Sequence, residues 1–536
     1  MLYDVNWAPI LTSALVSVQI LLNIPLWARI ESRGFEFVAS SPVQTEPRTA
    51  GKGRRRLWRR LWRALTVGAL GALLPFPGVS QIQLPDFGDA ASTTLSPADE
   101  RELGALYMRQ IRAYMPVVDD PEIEDYIQNL GYKLISNSSE GSGDFYFFIV
   151  ADSTINAFAI PGGYIGVNSG LLTNTDAESE LASVVAHEIA HVTQRHIARA
   201  IAAAEGSQYA TWAAMLAGLL IGTQNAEAGQ AAVAGAAAAN AQSQINFTRT
   251  NEKEADRIGI GMLAKAGYDP RAMPTFFEKL GIASRYYSTP PEFLSTHPVT
   301  SSRISDSRGR AEQYPHKQFL NSVSYDLTRA KLQTMTTNDP ARLLASYEAL
   351  LKEERKGDRS PTLYGRALVL ARLGKSARAI EELRKLVSAH PERVRFRAAL
   401  SKELLAVGDT KQALATYEDA YGLFPDSKLL ISGYVNALLR DGQGEKALII
   451  LDDYSRINLK SAALYRLEAE AYRQIGKVMN SRMALAEHYY RYGELEAAIH
   501  QLRLAANEPG GDFYQSSKLD ARLKELESER AFLNRR

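Results

Sequence analysis

Cysteine is missing from this chain of 536 residues. That excludes disulfide staples, thiolate nucleophiles and cysteine-ligated zinc, so any metal must be held by histidine and carboxylate. An excess of one charge is missing too. The 62 basic and 60 acidic side chains leave a net charge of +2, which shows no bias toward nucleic acid or anionic lipid. No nucleic-acid partner is expected. Histidine is scarce, eight in all, yet three of the eight fall between positions 187 and 196. Apolar residues are not scarce. At 46% of this length they can bury large cores, and two or three domains are expected.

The apolar runs near the start are short or interrupted. "GKGRRRLWRRLWR" (51–63) is basic and "ALTVGALGALLPFPGVS" (64–80) comes after it, apolar but broken by Pro75 and Pro77. A basic stretch ahead of an apolar core of about ten residues has the order of a secretory signal and falls short of the ~20 a membrane span needs. Ahead of it, "ILTSALVSVQILLNIPLW" (10–27) is a second apolar stretch containing Gln19, Asn23 and Pro25. It allows two readings: residues 1–50 are absent from the mature protein, or they are a membrane anchor. Either way residues 1–80 form a targeting region that exports the rest of the chain, and 81–99 read as a polar linker.

The first folded body is expected over 100–310. Helical periodicity in "ERELGALYMRQIRAYM" and "PEIEDYIQNLGYKLISNSS" gives way to "DFYFFIVADS" (144–153), which suits a strand. "NAFAIPGGYIGVNSGLL" (156–172) suits two strands around Pro161-Gly162-Gly163. Such a hairpin is either core or an exposed edge that pairs with an extended peptide.

"DAESELASVVAHEIAHVTQRHIARA" (176–200) then reads as a helix, acidic in its first turn and basic in its last. His187 and His191 are four apart, about 40° around the axis, so both imidazoles can meet one cation. Glu188 lies beside the first of them, off the ligand line, where it can take a proton from a water activated by the metal. His196 lies about 140° from His191 on an unbroken helix. It therefore reads as a capping or packing residue and not as a ligand. The third ligand is sought in "TNEKEADRIGIGML" (250–263), where Glu252 and Asp256 share a face and Glu254 points away. Glu252 supplies the ligand oxygen and Asp256 a hydrogen bond to an imidazole, while small Ala255 lets the two helices approach.

His297, in "PEFLSTHPVTSSRISD" (291–306), lies before Pro298 and six residues ahead of Arg303. It has three readings: an oxyanion or gating residue, a fourth ligand that makes the enzyme latent, or a structural loop histidine. The stretch 209–247 is rich in Ala and Gly, and its apolar run 210–221 is only twelve residues long. That is too short to span a bilayer; it reads as a helical lid, a peripheral membrane contact or a buried helix pair.

After a connector (311–338) the pattern from 339 to 536 turns repetitive. Gly374, Gly408, Gly442 and Gly476 recur every 34 residues, Pro391 and Pro425 keep that period, and Ala379, Ala413 and Ala447 stand five residues beyond the first three glycines. This is the tetratricopeptide pattern of paired helices, about four repeats, with Gly493 and Ala498 marking a half-repeat slip. Such stacks bind proteins or extended peptides, or serve as structure alone.

"HEIAH" with "NEKEAD" and "NAFAIPGGYIGVNSGLL" resembles the HtpX/CAAX-prenyl-protease family of gluzincin metallopeptidases, over about residues 95–310. The resemblance implies a mainly α fold, a metalloprotease domain of helices plus a small β-sheet, here followed by an α-solenoid. It implies one Zn2+ per chain on His187, His191 and Glu252, with Glu188 as base and Asp256 as an auxiliary acid. The Ser-Thr-His-Pro segment around His297 is similar to one in soluble members. The whole layout resembles periplasmic members that carry tetratricopeptide arrays. That implies quality control and assembly of outer-membrane proteins, degradation of misfolded precursors, and repeats that recruit clients or the assembly machinery. Two alternatives remain: a chaperone or binding module with minor or latent proteolysis, and an inner-membrane-anchored protease facing the periplasm.

Overall fold

The computed structural model describes residues 95–138, 143–203, 248–286, 291–353, 357–509 and 512–533. The targeting region 1–80, the run 210–221 and all but the end of the 81–99 linker lie outside them. Ser96 opens α1 (Pro97–Tyr114): its hydroxyl accepts from the Asp99 N–H, the Asp99 carboxylate accepts from the Ser96 N–H, and Pro97 presets the first turn. The folded body thus begins inside the expected linker. Asp120 caps α2 (Pro121–Ser136), whose buried stripe runs Ile123, Ile127, Leu130 and Leu134.

Three short strands come next. β1 (Tyr146–Val150) pairs parallel with β3 (Tyr164–Asn168), and β2 (Ala157–Ile160) pairs antiparallel with β3, so the order is β1-β3-β2 and β2 is an edge. The turn between β2 and β3 is Pro161–Gly163, as the sequence implies. After α3 (Ser169–Asn174) comes α4 (Glu178–Thr193), in which every residue from Glu178 to Ala190 is buried. A helix so enclosed has neighbours on all sides and can hold its side chains in place.

The expected single helix through 200 is in fact two. The α-helix stops at Thr193, Arg195 adopts φ 51, and α5 starts afresh at 196 and runs to 203. The Arg195 guanidinium is held by the Leu95 carbonyl at 2.6 Å and the Glu100 carboxylate at 2.8 Å, both at the start of α1. α6 (248–266) packs on α4, followed by α7 (Ala272–Tyr286), α8 (Glu292–Thr296) and α9 (Ser301–Ala311). One core joins them through Phe147, Ile165, Val185, Ile189, Ile260, Phe276 and Phe293.

α10 (Val323–Thr336) lies within the expected connector and serves two cores. Tyr325 and Leu332 face the core built on α2, the sheet, α4 and α6, while Leu327 joins Tyr364 and Phe396 in the first repeats. The repeats beyond it are helix pairs: Ser360–Arg372 with Ser376–Ala389, Val394–Ala406 with Thr410–Leu423, Lys428–Arg440 with Gly444–Ser455, and Ala462–Gln474 with Val478–Arg491. The four periodic glycines sit in their turns at φ 72, 85, 75 and 75, the left-handed conformation that a helix-ending glycine supplies. Ala379, Ala413 and Ala447 are fully buried at the crossings. Ser481 replaces the fourth alanine and donates its hydroxyl to the Ala469 carbonyl at 2.7 Å. Gly493 opens the half repeat Leu495–Ala506, and Phe513–Leu533 closes the array.

The array grips the N-terminus of α2. The buried Glu122 carboxylate meets Lys331 at 2.8 Å, the Tyr364 hydroxyl at 2.9 Å and Arg395 at 3.4 Å. Further along, Lys428 pairs with Glu124 at 2.6 Å and the Tyr492 hydroxyl donates to Asp119 at 2.6 Å.

Candidate metal centre

α4 and α6 come together because both present small residues at the crossing. Ala255 is fully buried, and a Cβ on Gly259 would stand 3.3 Å from the His187 backbone nitrogen. The approach brings Glu252 against the two imidazoles of α4. His187 Nε2 lies 2.9 Å from His191 Nε2, and Glu252 oxygens lie 3.4 Å from each. His297, the residue that ends α8, completes the group: its Nδ1 is 3.0 Å from Glu252 Oε1 and 3.3 Å from His187 Nε2. Phe293, one turn earlier, stacks on the His297 ring at 4.9 Å and fixes its plane.

These four donor atoms lie within 4.8 Å of one another. Four donors about 2 Å from a central ion are roughly 3.3 Å apart at the corners of a tetrahedron, so the spacing fits zinc. The chemistry fits as well. His187 directs Nδ1 to Asp256 at 2.9 Å and His191 directs Nδ1 to His196 at 2.8 Å, so in the neutral tautomers both Nε2 atoms present lone pairs to each other and to a carboxylate. Converging lone pairs repel unless a cation stands among them, and imidazole plus carboxylate suits zinc among the divalent metals.

Burial acts differently on the surrounding groups. It pushes the Glu188 carboxyl above the ordinary range, which His297 and His187 only partly offset; Glu188 Oε1 has no hydrogen-bond partner among the described residues and lies 3.4 Å from His297 Nε2. Burial also disfavours charge on Glu252, but the facing imidazoles outweigh it and hold that carboxyl well below its usual value. The same opposition holds Asp256 down, through Arg303 and His187.

Arg303, on the first turn of α9, is 3% exposed. It forks onto Asp256 with two hydrogen bonds of 2.7 Å and reaches Glu252 at 2.7 Å. Both Asp256 oxygens are thus engaged by Arg303, and Oδ1 also lies 2.9 Å from His187 Nδ1, the placement of a carboxylate that orients that ring. Spacing alone marks Arg303 as a neighbour of His297 and gives it no task. A buried arginine needs carboxylate partners, and that is the signal that links it to Glu252 and Asp256. Glu254 points away from the cluster, as its helical phase implies, and meets His196 at 3.2 Å and Arg199 at 3.1 Å. His196 lies outside the four-donor group, and the break after Thr193 brings it against His191, a contact that a continuous helix forbids.

The edge strand β2 adjoins the base: the Ala159 backbone is close enough to the Glu188 carboxyl to favour its ionised form, against the effect of burial. A further cavity of about 640 Å³ lies on the array side of α2, lined by Glu122, Tyr364, Arg395, Lys402, Asn436 and Arg440 among others.

Comparison with known proteins agrees with this geometry. Residues 121–311 match the model of peptidase family M48, 404–471 match a tetratricopeptide repeat model, and 347–426 match a bacterial transcriptional activator domain model over the same helical repeats. The chain is 36% identical over 476 residues to the beta-barrel assembly-enhancing protease of Escherichia coli K12, covering 88% of this chain and 96% of that protein. It is 38% identical to a putative beta-barrel assembly-enhancing protease of Vibrio cholerae over 417 residues, 77% of this chain and 86% of the relative. It is 29% identical over 257 residues, 47% of this chain and 46% of the relative, to the mitochondrial metalloendopeptidase OMA1 of Arabidopsis thaliana.

Proposed function

The chain belongs to peptidase family M48 and is a metalloendopeptidase; from that premise we propose that it is a periplasmic zinc endopeptidase that supports outer-membrane protein assembly by degrading stalled or misfolded precursors. The convergence of His187, His191, Glu252 and His297 donors beside a buried Glu188 oxygen that has no hydrogen-bond partner among the described residues carries the enzymatic reading. The names of its E. coli and Vibrio relatives and the signal-like segment at 51–80 support the location and the pathway. Among the described residues no helix is long and apolar enough to cross a membrane.

His187, His191 and Glu252 would hold the zinc, which when bound would lower the pKa of a water and polarise the scissile carbonyl. Glu188 would take a proton from the attacking water and pass it to the leaving amine; its raised pKa brings it nearer working pH, where a base is most effective. Asp256, clamped by Arg303, keeps the His187 proton on Nδ1 so that Nε2 stays free for the metal. A substrate strand added along β2 runs next to Glu188, with main-chain hydrogen bonds setting its register. The array recruits client proteins or assembly machinery through its cavity, which the side chains of Lys402 and Arg440 help to line.

A latent form of this enzyme has one specific observation in its favour. His297 brings a fourth donor atom to the group, where a catalytic zinc would need an open position. In that form the repeats act as a binding module until His297 moves aside. Zinc content and casein cleavage, measured for wild type and Glu188→Gln, test the proposal: the variant should retain zinc and lose cleavage. Cleavage that survives in Glu188→Gln refutes the role of the base.

A further inference from the structure

We propose that His196 is a positioning residue for the metal centre, relaying the Glu254 carboxylate to the ring of His191; this rests on the zinc reading above. The two rings cross at 77° with centroids 4.8 Å apart, and their Nδ1 atoms are 2.8 Å apart. One proton must lie between those nitrogens. His191 turns Nε2 toward His187 and Glu252, so its lone pair belongs to the metal and its proton sits on Nδ1. His196 therefore accepts at Nδ1 and carries its own proton on Nε2, 3.2 Å from Glu254 Oε2. Arg199 holds Glu254 in turn, at 3.1 Å.

Each link fixes the tautomer of the next. His187 is oriented by a carboxylate directly, through Asp256, and His191 by a carboxylate through one intervening imidazole. The buried ring of His196, 4% exposed, excludes water from the back of His191. α6 supplies the ligand Glu252 and, two residues on, the end of the relay. The helix break at Arg195 is what makes this geometry possible, since it swings His196 back over the preceding turn.

The test is zinc affinity, by competition with a chromophoric chelator, on the full chain as wild type, His196→Phe, His196→Asn and Glu254→Gln, with melting of each chelator-treated protein alongside. Loss of a group that orients a metal-ligating histidine weakens binding by about 10–100-fold, and that is expected for His196→Phe. An asparagine places its carbonyl oxygen near the Nδ1 position and can accept from His191. His196→Asn should therefore regain most of the affinity, and Glu254→Gln should fall between. Wild-type affinity in His196→Phe, or equal losses in His196→Phe and His196→Asn, overturns the relay. If His196→Phe fails to fold, an unchanged affinity in Glu254→Gln overturns it alone. A wild type that takes up no zinc removes the metal reading and the relay with it, whereas tight wild-type binding with unaffected variants removes the relay only.

Discussion

Replacing Arg303 by Met should destabilise the protein more than the loss of three hydrogen bonds suggests. Arg303, Asp256 and Glu252 are 3%, 1% and 4% exposed, and the guanidinium is within 2.7 Å of both carboxylates. Arg303→Met leaves two buried acids without that cation, and breaking a buried pair in this way costs about 3–5 kcal/mol. Zinc supplies a countercharge to Glu252, so the deficit should be largest with chelator present and shrink when zinc is added. Lysine keeps the charge but cannot fork onto Asp256, so Arg303→Lys should recover only part of the loss. The pH dependence has a definite sign. Asp256 is held below its ordinary value, so its contribution is present above the usual carboxylate range of about 4 and is lost as pH falls through the depressed value; the gap between wild type and variant should close in strong acid. Urea unfolding monitored by far-UV circular dichroism, with and without zinc, reads all of this. A loss below about 1 kcal/mol in chelator, the scale of an ordinary hydrogen bond, refutes the reasoning.

The same geometry sets further outcomes. The acid limb of the kcat/KM profile should lie above the ordinary glutamate range, since burial raises Glu188 and the base works only when ionised; a limb near 4 contradicts the assignment. His297→Ala should raise casein cleavage if His297 occupies the fourth position as a latch, while zinc stays bound by three ligands; an inactive variant that keeps its zinc favours a direct catalytic part instead. Lys331→Met leaves Glu122 buried beside only Arg395 and Tyr364, and should expose the junction of array and protease to limited proteolysis, with no change in zinc affinity.

Local periodicity carries much of this site. His187, Glu188 and His191 are placed by one helical turn, and Glu252 with Asp256 by another, so spacing alone puts each set on a usable face. The tetratricopeptide glycines are similarly local, because each turn needs its own left-handed residue. What spacing does not carry is contact made across the fold. A straight helix would keep His196 away from His191, and that helix breaks because Arg195 is drawn to Leu95 and Glu100, some hundred residues away in the chain. Arg303 belongs to the site only because α9 folds back over α6. α10, expected as connector, is a shared support because its two faces are both apolar enough to fill a core.

The central claim is that one zinc sits among His187, His191, Glu252 and His297 with Glu188 outside its coordination sphere. Zinc-edge X-ray absorption on the purified protein, with metal content, tests it most directly. One zinc per chain with only nitrogen and oxygen donors at about 2.0–2.1 Å, unchanged in Glu188→Gln and lost in His191→Ala, is the predicted result. Zinc retained at full stoichiometry in His191→Ala, or a first shell altered by Glu188→Gln, contradicts it.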